Sequence, residues 1–168
     1  GKIIKSLGKP GDLNTEMHTI MFEYGFPEEF PLEVENFAQN MDLRIEASEI
    51  NKRKDFRGKT TFTIDPITAK DFDDAISIKR NRNGYELGVH IADVSHFVKI
   101  NTFIDREALQ RSTSVYFTEG VVHMLPEALS ANLCSLKPNK DRLAVSAIMK
   151  MDKDFNLSLI HISEPTRP

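Results

Sequence analysis

The sequence predicts a mixed α+β (α/β-type) domain preceded by a helical segment, and three observations predict it. Up to about residue 41 apolar residues recur at helical spacing, whereas from Thr60 they alternate with a period of two. Asn83-Gly84 lies between two alternating runs, "AISIK" and "YELGVHIADV", as a tight hairpin requires. Short helical and strand patterns then intermingle with no internal repeat, which excludes a solenoid and favours layered helix on sheet.

The elements follow in order. "GKIIKSLG" has the character of a strand, and "GKPGD" breaks it. A helix capped by Asn14 then places Met17, Ile20, Met21 and Tyr24 on one face before Gly25 ends it. A second helix starting near Pro31 carries Val34, Phe37, Ala38 and Met41 on one stripe. "NKRKDFRGK" gathers five basic residues around Phe56. It reads as a solvated connector, with a nucleic-acid contact as the sharper alternative. "TTFTID", "AISIK" and "YELGVHIADV" read as strands, with "RNRNG" turning between the last two. "DREALQR" reads as a short helix, "TSVYF" as a strand, "LPEALSANLCSL" as a helix after Pro126, and "RLAVSAIMKMD" as a further strand.

Length and composition set limits. A chain of 168 residues with 40% hydrophobic content supports one core, and a net charge of −3 does not announce a nucleic-acid binder. An acidic metal site would itself lower that count. The lone Cys134 has no disulfide partner and points to a reducing, cytoplasmic setting. No apolar run approaches membrane-spanning length and no signal-peptide pattern opens the chain, so no membrane association is expected.

The chemistry concentrates in "TIDPITAKDFDD", where Asp65, Asp71, Asp73 and Asp74 fall within ten residues. Two unit charges about 4 Å apart repel by roughly 4 kcal/mol near a protein surface. Either the side chains fan into water or a cation sits among them. A solvated acidic loop is the commonest fate of such a stretch. A helix-flanked calcium loop does not match, lacking the glycine at its turn and the terminal glutamate. A magnesium or manganese phosphodiester site is the third reading, since hard oxygen donors suit those ions and leave coordination open to phosphate.

These residues stand in a wider pattern. "TIDPITAKDFDDAISI", "GVHIADVSHFV", "DREALQRSTSVYF" and "MLPEALSANLCSLKPNKDRLA" together resemble the RNB catalytic domain of the ribonuclease II/ribonuclease R family, most of all its ribonuclease R branch. The resemblance is strong over about residues 60–156. "GKPGD…EMHTIMFEYGFPEEFP" resembles the connector after the cold-shock OB-folds, giving an expected organisation of a last OB-fold strand at 1–8, a helical connector at 9–59 and the N-terminal part of an RNB domain at 60–156. The resemblance implies magnesium-dependent (or manganese-dependent), processive hydrolysis of single-stranded RNA from its 3′ end to nucleoside 5′-monophosphates, with no obligate protein partner. It assigns Asp65, Asp71, Asp73 and Asp74 to the acidic metal site, Asp73 being most directly tied to catalysis. Tyr116 in "SVYF" is matched to the residue that packs on the 3′-terminal nucleotide, as base stacking on an aromatic ring allows.

Other residues carry less. His90, Asp93 and Ser95 in "HIADVS" are too close on one strand for a nucleophilic triad. His90 is expected to be hydrogen-bonded beside the site, and Asp93 to anchor backbone. Arg106 and Arg111 are candidates for phosphate contact, with salt bridges to Asp105 and Glu107 as the competing account. Buried packing is expected for Cys134. "LSLIHISEPTR" matches the conceptual translation of a transposase sequencing adapter, so residues 157–168 are expected to be non-native and natural sequence to end near Asn156. The chain accordingly reads as a fragment that lacks the family's later active-site arginine and C-terminal RNA-binding domain. On its own it is expected to be inactive; non-catalytic binding of divalent metal or RNA is the alternative.

Overall fold

Alternation in the sequence becomes an antiparallel sheet. The computed structural model describes residues 1–27, 29–42, 44–117 and 120–163. Its helices are α1 (Leu13–Glu23), α2 (Leu32–Gln39), α3 (Ala47–Lys52), α4 (Val94–Phe97) and α5 (Phe103–Arg111). The strands are β1 (Thr61–Phe62), β2 (Asp74–Asn81), β3 (Gly84–Ala92), β4 (Val115–Tyr116), β5 (Val121–Val122), β6 (Ala144–Met151) and β7 (Leu157–Ser163), with a π-helical turn at Leu129–Leu133. The five-stranded sheet has the order β1-β2-β3-β6-β7, and β4-β5 is a separate two-stranded ribbon. The described residues bear out the mixed helix-and-sheet class. Among them no helix is long and apolar enough to cross a membrane.

The chain divides into two compact units interleaved in sequence. One comprises Gly1–Asn40 with Lys99–Glu127, the other Met41–Val98 with Ala128–Pro168. In the first, α2 packs on α5, and Met21, Val34, Ala38, Ile104 and Leu125 are buried. Asp12, not Asn14, caps α1, its carboxylate accepting the Thr15 N–H at 3.2 Å. Only Met21 of the expected α1 face is buried, while Ile20 and Tyr24 face solvent; Val34 and Ala38 of α2 are buried as their spacing demands. Residues 1–8 form no strand, since an isolated strand has no ladder to join.

Period two is obeyed closely in the second unit. Ala75 and Ser77 of β2, Gly88, His90 and Ala92 of β3, and Ser146 and Ile148 of β6 are buried, and the strand residues between them are less so. Register sets Ser77 opposite Gly88, and His90 opposite Ala75 on one side and Ser146 on the other. Because Gly88 has no side chain, the imidazole of His90 leans across to Ser77. A Cβ at Gly88 would lie 2.5 Å from Ser77 Oγ and 2.8 Å from His90 Nε2. Gly88→Ala is therefore expected to destabilise the protein by about 1–3 kcal/mol through overpacking, measured as a shifted denaturant midpoint. The hairpin tip is Arg82-Asn83, one residue earlier than expected. Gly84, at φ 149°, opens β3, where a Cβ would run into the Met151 carbonyl.

Leu157–Ser163, the stretch that resembles translated adapter, pairs antiparallel with β6 as strand β7. Its alternation meets an otherwise open strand edge, and that suffices for pairing. The rest of that tail, residues 164–168, lies outside the described residues.

Candidate active site

The acidic stretch joins β1 to β2. Pro66 fixes the backbone after Asp65, and a turn closes with the Ala69 N–H donating to the Pro66 carbonyl at 2.9 Å. Beyond it the backbone is tied down at successive residues. Ser135 Oγ accepts the Phe72 N–H at 3.0 Å and donates to the Lys70 carbonyl at 3.4 Å. The Leu136 N–H donates to the Phe72 carbonyl at 2.8 Å, and the Ala92 N–H to the Asp73 carbonyl at 2.9 Å. Asp74 is the first residue of β2, in register with Ile91. The loop is thus held between the end of β3 and the segment after the π-helical turn.

The four aspartates share an electrostatic field. The Asp73 carboxyl is pushed above the usual carboxylate range, first by desolvation and then by the negative charges of Asp71, Asp74 and Asp65. Asp73 is nonetheless exposed as a residue, so solvent screens much of that repulsion. Among the described residues no group of three or more His, Cys, Asp or Glu side chains converges as a ligand set. The loop brings the carboxylates into mutual range without closing them into a cage.

Behind the site lie two polar clusters. His90 Nε2 is 2.9 Å from Ser77 Oγ and its Nδ1 2.7 Å from Ser146 Oγ, so both ring nitrogens are engaged across three strands. Phe56 covers the imidazole edge-on at 5.3 Å. Burial, and then the charge of Lys59, lower the pKa of His90 from its ordinary value. Asp93 caps α4, accepting the His96 N–H at 3.1 Å and the Ser95 hydroxyl at 2.8 Å. Ser95 therefore bonds Asp93 while His90 bonds two other serines, and no nucleophilic relay exists among them.

Asp93 also receives Arg53 at 2.9 Å, and both side chains are nearly closed to solvent, at 4% and 7% exposure. Arg53 Nε donates to Glu49 at 2.8 Å. Desolvation raises the Asp93 pKa, but the hydrogen bonds from Ser95 and Arg53 and the Arg53 charge outweigh it and bring the value below normal. The basic connector is solvated over most of its length, with Lys52, Lys54 and Arg57 exposed, but Arg53, Phe56 and Lys59 are drawn in. Arg53 is buried in an ion pair, and Phe56 lies on the sheet with Lys59 Nζ 4.8 Å from its ring centre. The i,i+4 spacing of Glu49 and Arg53 was the available signal, but the partner in "HIADVS", 40 residues on, was not. Cys134 is buried as expected, its thiol pushed up to about 12 by burial and by the charges of Asp93 and Asp73.

Tyr116 and the arginines of α5 belong to the other unit. Tyr116 sits on β4 opposite Val121, with 62% of its surface exposed. Arg111 is consumed structurally. It donates to the carbonyls of Pro27, Glu29 and His123 and to Glu107, and its guanidinium lies 3.7 Å from the Phe30 ring centre. That removes it from the candidates for phosphate contact. Arg106 lies 5.5 Å from the Phe103 ring centre.

Fold and site together define an antiparallel α+β domain organised around a backbone-pinned carboxylate loop. The RNB domain profile matches residues 53–166, and the chain belongs to the RNB domain family. A cold shock domain profile matches residues 1–31. Ribonuclease R of Chlamydia trachomatis is 46% identical over 157 residues, covering 93% of this chain and 23% of that protein. Mycoplasma genitalium RNase R, solved in complex with ribose methylated single-stranded RNA, superposes with a TM-score of 0.87 at 34% identity, over 93% of this chain and 24% of its own. Yeast Ssd1, described as a pseudonuclease, shares the fold with a TM-score of 0.77 at 22% identity, over 95% of this chain and 21% of its own. The chain therefore spans about a quarter of the length of these relatives.

Proposed function

We propose that this chain is the acidic half of the catalytic domain of a magnesium-dependent, processive 3′→5′ exoribonuclease of the ribonuclease R type. The observation that carries the proposal is the Asp73 carboxyl, whose ionisation is opposed by Asp71, Asp74 and Asp65 on a loop whose backbone is pinned. Four carboxylates on one short pinned loop fit a hard divalent cation, because positive charge among them offsets the repulsion that opposes ionisation of Asp73. Asp65, Asp71, Asp73 and Asp74 would hold the metal, with Mg2+ favoured and Mn2+ a substitute. When bound, that ion lowers the pKa of water and neutralises phosphoryl charge. Asp73 would act nearest the scissile phosphate. The exposed ring of Tyr116 would stack on the 3′-terminal base, orienting the substrate without sequence preference. RNA is the substrate class that fits, since the Mycoplasma relative is solved with ribose methylated single-stranded RNA and with double-stranded RNA, and a single-stranded 3′ end is the proposed form.

The activity belongs to a protein of the relatives' length, and the 168-residue chain alone is proposed to be inactive. A cytoplasmic setting fits the reduced, buried Cys134. A second reading, a non-catalytic metal- or RNA-binding piece, keeps the same carboxylate loop and the exposed Tyr116 but not the chemistry. One assay separates the two. With Mg2+ and 3′-labelled single-stranded RNA, a version extended through the full gene is expected to release labelled nucleoside 5′-monophosphate, while the 168-residue chain does not. Intact RNA with the extended protein, alongside metal binding, establishes the second reading instead.

A further inference from the structure

We propose that Ser135 is the positioning residue of the aspartate loop, fixing the backbone on both sides of Asp71, and that Arg142 and Asn132 hold Ser135 in place. This deepens the reading of that loop as a cation site and rests on it. Ser135 has 0% of its surface exposed. Its single hydroxyl uses a lone pair for the Phe72 N–H at 3.0 Å and its proton for the Lys70 carbonyl at 3.4 Å. The two bonds bracket Asp71, and the Phe72 contact is the better formed. The next residue adds the Leu136 N–H to the Phe72 carbonyl at 2.8 Å. Asp73 follows immediately, so the bonds at residues 70 and 72 orient the loop from which both carboxylates project.

Ser135 is itself placed by an unusual turn. Across Leu129–Leu133 the backbone is π-helical, closed by the Cys134 N–H donating to the Leu129 carbonyl at 2.9 Å. Such turns hold one more residue than an α-helical turn and re-aim the residues that follow. Arg142 caps the turn. Its Nε donates to the Asn132 carbonyl at 3.1 Å and to the Ser135 carbonyl at 3.0 Å, and Nη2 donates to Asn132 Oδ1 at 3.1 Å. The planar guanidinium fork suits these three acceptors, as a lysine ammonium does not. A relay of four groups thus runs from Arg142 through Asn132 and Ser135 to the acidic loop, with Ser135 63 positions beyond Phe72 in the chain.

The test compares the 168-residue wild type with Ser135→Ala and, as a second route to the same loop, Arg142→Lys. Amide exchange is followed by NMR at Phe72 in the loop and at Val89 and Ile148 in the sheet. Mn2+ affinity is followed by paramagnetic broadening. In both variants, exchange at Phe72 is expected to accelerate by about tenfold while the sheet amides hold. Mn2+ affinity is expected to fall by about tenfold or more, as for groups that orient metal ligands. The proposal is overturned if Phe72 exchanges as in wild type, or if the sheet amides accelerate in step with it. It is also overturned if Mn2+ affinity stays within about twofold of wild type. Failure of the wild type itself to bind Mn2+ sinks the cation reading instead, and exchange at Phe72 against the sheet then decides the role of Ser135. Should Ser135→Ala not fold, Arg142→Lys decides between the same outcomes.

Discussion

In a full-length protein with the proposed exoribonuclease activity, replacing Asp73 by asparagine is expected to lower RNA hydrolysis about a hundred- to a thousandfold, while leaving the fold as stable as before or slightly more so. The two halves of this expectation have one cause. Desolvation, and then Asp71, Asp74 and Asp65, hold the Asp73 carboxyl above its ordinary 3.8. Between 3.8 and the raised value the folded state binds more protons than the unfolded one, so stability falls as pH rises through that interval. At neutral pH the ionised cluster is therefore a net cost, and asparagine removes part of it. Solvent around Asp73 limits the gain to less than about 1 kcal/mol. Asparagine keeps the shape and an acceptor oxygen but no charge, so a divalent cation loses its strongest attraction there. Melting curves at pH 7 with chelator present, set beside monophosphate release, check both halves. A fall in melting temperature that tracks the lost activity would show Asp73 to be a structural residue. Undiminished hydrolysis would remove it from the chemistry.

Arg53→Met is expected to destabilise the protein by about 3–5 kcal/mol, because it strands the carboxylate of Asp93 in a site closed to solvent. Adding Asp93→Asn to the same chain is expected to recover much of that loss, since no charge is then left unpaired. The pH dependence follows from the directions of the shifts. Asp93 and Glu49 both titrate below their ordinary 3.8 and 4.5, the latter chiefly through its hydrogen bond from Arg53. Their contribution is complete above those values and is lost as pH falls through the depressed ones. His90, lowered from 6.5 chiefly by burial, acts earlier. The unfolded chain takes up a proton below 6.5 that the folded imidazole resists, so stability begins to decline there. The gap between wild type and Arg53→Met should narrow as pH falls. It narrows first as the stranded Asp93 of the variant, raised by burial with no cation beside it, takes up a proton above 3.8, and finally as wild-type Asp93 protonates below 3.8. Urea unfolding across pH 3–7 measures it. A gap that does not change with pH would mean that the variant loses packing alone.

Much of the domain was legible as a string of residues, because the decisive signals there are local. Alternation names β2, β3 and β6, and obliges Ser77, His90 and Ser146 to share the buried face. Four aspartates in ten residues announce a charge problem whatever the fold, and the surrounding motifs point to the family. Local patterns failed where two nearby candidates competed and where neighbours were distant. Asp12 outcompeted Asn14 as a cap because its carboxylate reaches the Thr15 N–H. For Arg111 the sequence offered the Glu107 salt bridge beside a phosphate contact, and the salt bridge forms, but the three carbonyls from other segments that take up its remaining donors were not legible.

Tertiary structure alone decided how the acidic loop is held. Asp65, Asp71, Asp73 and Asp74 can be counted in the sequence, but the hydroxyl that brackets Asp71 arrives from 63 residues beyond Phe72. The arginine that neutralises Asp93 arrives from 40 residues before it. Periodicity records which face of an element is buried; it holds no record of which buried polar group will meet which. That pairing is set when the sheet and the π-helical turn exclude water, since a donor or acceptor enclosed there costs stability unless it finds a partner within the chain.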